Sequence, residues 1–83
     1  MQFTLKVSAK WNFTPSDLML KFTRQFEYYR LPTPWVYTYD QYFNSVLYNQ
    51  KTERSYIYDH LKMEQTKDPD TIKVTVFLKE KKQ

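Results

Sequence analysis

The chain contains no cysteine and no glycine. Without cysteine there is no disulfide and no thiolate metal site, and nothing speaks for an oxidising, secreted setting. The missing glycine is the more unusual absence, since average usage of about 7% would give roughly six in a chain of this length. It excludes the phosphate-cradling loops that need a glycine backbone: the Walker loop, the dinucleotide fingerprint and the kinase loop. Left-handed turn positions must then fall to other residues, with Asn12, Asn44, Asn49 and Asp68 as candidates. Long apolar runs are also missing, so no segment approaches the roughly 20 residues of a membrane span. The opening residues alternate apolar and polar and carry Lys6 and Lys10, unlike a signal peptide. A soluble protein is the expectation, intracellular in its own cell or in the cytoplasm of a host.

Aromatics are what the chain has in excess. Eight tyrosines, six phenylalanines and two tryptophans make 19% of 83 residues. A domain of this size buries only about 60% of its unfolded surface, so several rings should reach solvent. Thirteen basic residues against nine acidic ones give a net charge of +4. That balance permits a nucleic acid or an acidic protein as partner without demanding either. Residues 1–83 read as one domain, with no repeat or linker.

Phe3, Leu5, Val7 and Ala9 alternate with Gln2, Thr4, Lys6 and Ser8, which is the period of a half-buried strand. Thr14-Pro15-Ser16-Asp17 then opens a helix, with Thr14 as N-cap, Pro15 at the first helical position and Asp17 near the positive end. Leu18, Phe22, Phe26 and Tyr29 form its apolar stripe, and Pro32 and Pro34 end it. Trp35–Tyr39 suggests a short strand. Asp40 is read as the cap of a second helix whose Tyr42, Phe43, Val46 and Leu47 share a face. Residues 55–64 fit either element, with a slight lean to strand. A turn at Thr66–Asp70 leads into the clearest strand, where Ile72, Val74, Val76 and Leu78 alternate with Lys73, Thr75, Phe77 and Lys79. The tail from Lys79 to Gln83 is expected to fray. The fold class that follows is α+β: a small, mainly antiparallel sheet of the N- and C-terminal strands plus one or two short ones, with two helices on one face.

Candidate chemistry is sparse. His60 is the only histidine, and its neighbour Asp59 should point away from it, so neither a zinc site nor a catalytic triad is expected. Asp68 and Asp70 pair two carboxylates in what is also ordinary turn chemistry. Pro69-Asp70 followed by Glu80-Lys81-Lys82 resembles the Pro-Asp…Glu-x-Lys signature of a nuclease family, in a lysine-rich tail and a chain short for such a core. No cofactor and no enzymatic activity are expected.

Two surfaces are better candidates for binding. Leu20, Lys21, Arg24, Glu27 and Tyr28 fall together on the helix side opposite the core stripe, where Tyr and Arg could anchor a protein partner. Lys6, Lys73, Phe77 and Lys79 fall on the outward side of the terminal strands, where an aromatic among lysines suits a base and its phosphates. Trp35, Tyr37 and Tyr39 share one side of their strand, as a surface cluster or as core filling. A terminal strand at a sheet edge, unblunted by proline, could also pair two copies. In composition the chain looks like the small accessory proteins that phages and archaeal viruses encode. The expectation is thus a non-enzymatic binding protein with nucleic acid as one ligand, or an adaptor or inhibitor acting through the helix face.

Overall fold

The computed structural model describes residues 1–81. Its elements are β1 (Gln2–Ser8), α1 (Pro15–Tyr28), β2 (Trp35–Tyr39), β3 (Ser45–Asn49), β4 (Arg54–Gln65) and β5 (Thr71–Glu80). The strands form one five-stranded sheet in the order β1-β5-β4-β3-β2. Every neighbouring pair is antiparallel. The domain is therefore α+β, with the chain ends side by side at β1 and β5 and the single helix packed on one face.

The helix forms for the reasons legible in its first turn. Thr14 Oγ1 accepts from the Asp17 amide, and the Asp17 carboxylate accepts from the Thr14 amide, closing a capping box. Leu18 and Met19 are its fully buried residues. Phe22 is partly buried and stacks on Phe3, ring centroids 4.3 Å apart. Tyr29, expected in the core stripe, is 66% exposed because it follows the last helical turn. Beneath the helix lie Phe3, Leu5, Val7, Leu47, Val74, Val76 and Leu78. Trp35, Tyr37, Tyr56 and Tyr58 pack against this core, so Trp35 and Tyr37 fill space instead of presenting a surface. Tyr39 alone of that series stays largely exposed.

Among the described residues there is no second helix. Residues 40–44 form the turn of the β2–β3 hairpin, and Val46 and Leu47 are successive strand residues pointing to opposite faces. Leu47 joins the core beneath the helix, whereas Val46 is buried on the other side, opposite Ile57. With both faces covered, β3 shows no alternation, and its apolar pattern imitates a helix. β4 hides its strand character differently. Asp59 is an extra residue in the ladder with β5, so Tyr58 pairs with Leu78 while His60 already pairs with Phe77. This bulge turns Ile57 and His60 outward and Leu61 and Met63 inward, which breaks the period of two.

The turns are built without glycine, but not at the positions expected. Positive φ occurs at Arg30 (55°), Phe43 (64°) and Glu53 (59°) among the described residues, not at Asn12, Asn44, Asn49 or Asp68. Asn49, Asp68 and Asp40 act instead as side-chain acceptors within the turns. Asn49 Oδ1 takes the amides of Lys51 and Thr52, and Asp40 Oδ1 takes those of Tyr42 and Asn44. Arg30 stands where a helix-ending glycine usually does: its amide donates to Glu27 O while the Leu31 amide donates to Phe26 O.

The C-terminal end of β5 is held rather than frayed. Lys79 and Glu80 belong to the strand, and Lys81 Nζ lies 3.3 Å from Asp40 Oδ2. Lys81 borders a small hollow with Thr38 and Val46 on the outward side of β3. Lys82, which the nuclease-like signature requires, lies outside the described residues.

Two outcomes are expected. Arg30→Gly relieves a left-handed residue and should stabilise the protein by roughly 1 kcal/mol in urea unfolding. Loss of hydration tends to raise the Asp40 pKa from its ordinary 3.8, but the amides of Asn44 and Tyr42, the Asn44 side chain and Lys81 outweigh it and lower it to about 2. The folded carboxylate is thus harder to protonate than the unfolded one, so its contribution is complete above pH 4 and disappears as the pH falls from about 4 towards 2. Asp40→Asn should flatten the stability profile across that acid window, measured by unfolding at a series of pH values.

Candidate functional site

α1 lies on one side of the sheet, and no other element among the described residues covers the second side. Its composition follows from the strand registers, since residues paired across an antiparallel ladder share a face. One row runs Gln2, Phe77, His60; the next Thr4, Thr75, Lys62; the next Lys6, Lys73, Glu64. Further along, Lys79 pairs with Ile57, which pairs with Val46, which pairs with Thr38. The four residues expected on an outward strand face, Lys6, Lys73, Phe77 and Lys79, are therefore brought onto one surface. The structure adds His60 and Lys62 to it. Neither could be placed from the sequence, because the bulge at Asp59 decides which residues of β4 face outward.

The aromatic part of this face is ordered. The His60 and Phe77 rings stack with centroids 4.5 Å apart and planes 8° from parallel. His60 Nδ1 and Asp59 Oδ2 are 2.9 Å apart, which fixes the imidazole orientation and corrects the expectation that the two side chains diverge. The bulge allows this contact by turning consecutive side chains toward the same side. Next to the stack, the hydroxyls of Thr4 and Thr75 meet at 3.1 Å, and Thr75 is buried.

The charged part is held against its own repulsion. Met1 and Leu78 exchange backbone bonds and the Ala9 amide donates to Asp70 O, so the ladder bonds of β1 fall on its odd residues. Lys6 and Lys73 are accordingly a non-hydrogen-bonded pair, the closer kind, with Cα atoms about 4.5 Å apart. Like charges in that position are unfavourable. Glu64 stands opposite Lys73 on the other flank, but its carboxylate lies 3.5 Å from Lys62 Nζ. A shallow hollow at this end is bordered by Lys6, Lys67 and Lys73, with Glu64 and Asp68 on its rim.

The helix patch is also where it was expected. Lys21, Arg24, Glu27 and Tyr28 are exposed, with Tyr28 at 81%, and Leu20 is partly buried. Lys21 is not free within it, because its ammonium sits 5.6 Å from the Trp11 ring centre. One exposed aromatic site escaped the sequence reading. Tyr42 and Phe43, exposed to 74% and 83%, sit at the tip of the β2–β3 hairpin. They were assigned to a helix face, which hid them.

Among the described residues no group of three or more His, Cys, Asp or Glu side chains could hold a metal ion. Asp68 uses its Oδ1 on the Asp70 amide and its Oδ2 on the Thr71 hydroxyl. Asp70 and Glu80 lie at opposite ends of β5, separated by roughly 30 Å of extended chain, so they cannot meet as the nuclease-like signature requires. No described helix is long and apolar enough to cross a membrane. No protein-family model, no curated protein and no solved structure matches the chain.

Proposed function

We propose that this is a non-enzymatic protein that binds single-stranded nucleic acid across the open face of its sheet. The observation that carries the reading is the Lys6–Lys73 pair, two cations opposed on a solvent-facing ladder beside a stacked His60–Phe77 platform. A phosphate between the lysines would relieve their repulsion, and a base has an aromatic surface to lie on. Lys62 and Lys79 extend the positive surface along β4 and β5. An extended strand suits this shape better than a duplex, because the platform reads the flat side of a base and such faces are hidden inside a stacked helix. The protein then belongs in the company of accessory proteins, viral ones included, that act by coating or presenting a nucleic acid.

A second reading keeps the helix face. Tyr28, at 81% exposure beside Arg24, has the composition of an interface anchor for a protein partner. Capture of a protein that is lost in Arg24→Ala and Tyr28→Ala but not in Lys73→Ala would favour this reading.

The nucleic-acid reading predicts opposite effects on stability and affinity. Lys73→Thr removes one of two opposed cations, so it should stabilise the fold by a few tenths of a kcal/mol. The same change should weaken binding of a labelled single-stranded oligonucleotide and lower the slope of log affinity against log salt by about one. Phe77→Ala should cost about 1–3 kcal/mol of affinity with the salt slope unchanged. Fluorescence anisotropy at several salt concentrations measures both. Absence of binding at low salt, or equal loss from Lys73→Thr and Arg24→Ala, would remove the reading.

A further inference from the structure

β1 is an edge strand, and its free edge is complete. Its odd residues bond to β5, as the Met1–Leu78 and Ala9–Asp70 bonds establish. The amides and carbonyls of Gln2, Thr4 and Lys6, with the Ser8 amide, therefore point away from the sheet. Proline and bulges, two usual means of blunting an edge, are missing from this strand. The opposite edge is weaker. In β2 the even residues bond inward, as Asp40–Asn44 and Pro34–Gln50 require, and the Trp35 amide is taken by Thr33 Oγ1. That leaves little beyond Tyr37 and Tyr39 in a strand of five residues.

We infer that the protein self-associates through β1, a second copy lying antiparallel to it about a two-fold axis at Leu5. The register follows from charge. Outward-bonding residues must pair with outward-bonding residues, and Lys6 is the one charged residue of β1. Centring the axis at Lys6 would oppose the two lysines, and centring it at Thr4 would leave Ser8 unpaired. Centring it at Leu5 sets Gln2 opposite Ser8 and Thr4 opposite Lys6 in both directions. It uses the whole edge and opposes no like charges. On the inner face Phe3 meets Val7 and Leu5 meets its own copy. Met1 of one copy reaches Ala9 of the other, beside the hollow lined by Val7, Trp11 and Lys21. Met1 and Trp11, each 37% exposed, would cover one another there. The two sheets become one, and this holds whether or not the outer face binds nucleic acid.

The absence of cysteine makes a direct test available. Thr4 and Lys6 of opposing copies form a hydrogen-bonded pair with Cα atoms about 5.5 Å apart, within disulfide range. Oxidising a mixture of Thr4→Cys and Lys6→Cys proteins should give a crosslinked dimer, while neither variant alone crosslinks. Sedimentation equilibrium of the unaltered protein should show a monomer–dimer equilibrium. Thr4→Pro, which removes an outward amide and, within the fold, only the Thr4–Thr75 hydroxyl contact, should sediment as a monomer with an unchanged circular dichroism spectrum, while Thr4→Val, which loses the same contact but keeps the amide, should still dimerise. The inference is overturned if the unaltered protein is monomeric at every concentration. It is equally overturned if Lys6→Cys crosslinks alone as readily as the mixture, or if folded Thr4→Pro keeps the dimer.

Discussion

One helix has to close the core of a five-stranded sheet, and most of the structure follows from that shortage. α1 has 14 residues, roughly 21 Å of length and 10 Å of width, while five strands alone span roughly 19 Å across their hydrogen bonds. Leu18 and Met19 seal the centre, but the flanks of the inner face lie beyond the reach of the helix. Large rings make up the difference. Phe22 bridges to Phe3 on one side and to Trp35 on the other, and Trp35 passes the contact on to Tyr56. The high aromatic content is in good part a structural answer to a single covering helix.

The same shortage leaves the second face of the sheet without a layer. What holds that face is local: the Thr4–Thr75 hydroxyl pair, the His60–Phe77 stack and the Lys81–Asp40 ion pair. Asp40 thereby joins two tasks. It closes the β2–β3 turn without glycine and fastens the end of β5 across the sheet. Against this background the opposed Lys6 and Lys73 stand out, because the nearest carboxylate across the ladder, Glu64, is drawn to Lys62 instead. A feature that costs stability on an open face is where a ligand of opposite charge is best sought.

The elements that were legible in the sequence are those with one covered and one open face. β1 and β5 keep a clean alternation in sequence, so Lys6, Lys73, Phe77 and Lys79 are assigned to one side by spacing alone. α1 announced itself through Thr14, Pro15 and Asp17. β3 was misread because Val46 and Leu47 are both buried, on opposite faces, which erases the alternation that identifies a strand. β4 was ambiguous because one extra residue, Asp59, shifts its phase midway, and the same shift kept His60 and Lys62 out of the expected site. The left-handed residues were misplaced for a related reason. Asn and Asp are favoured by their own propensity, whereas the turns use Asn49 and Asp68 as acceptors and leave the strained position to Arg30, Phe43 and Glu53. The helix patch could be placed from spacing alone, since Arg24, Glu27 and Tyr28 stay exposed on that side of α1.

The central claim concerns which face of the molecule meets the ligand, and amide chemical shifts report that residue by residue. Titrating isotopically labelled protein with a short single-stranded oligonucleotide at low salt should move the signals of Lys6, His60, Lys62, Lys73, Thr75 and Phe77. The signals of Arg24, Glu27 and Tyr28, on the far side of the helix, should stay in place. Shifts concentrated on the helix, or none at any oligonucleotide concentration, would contradict the account.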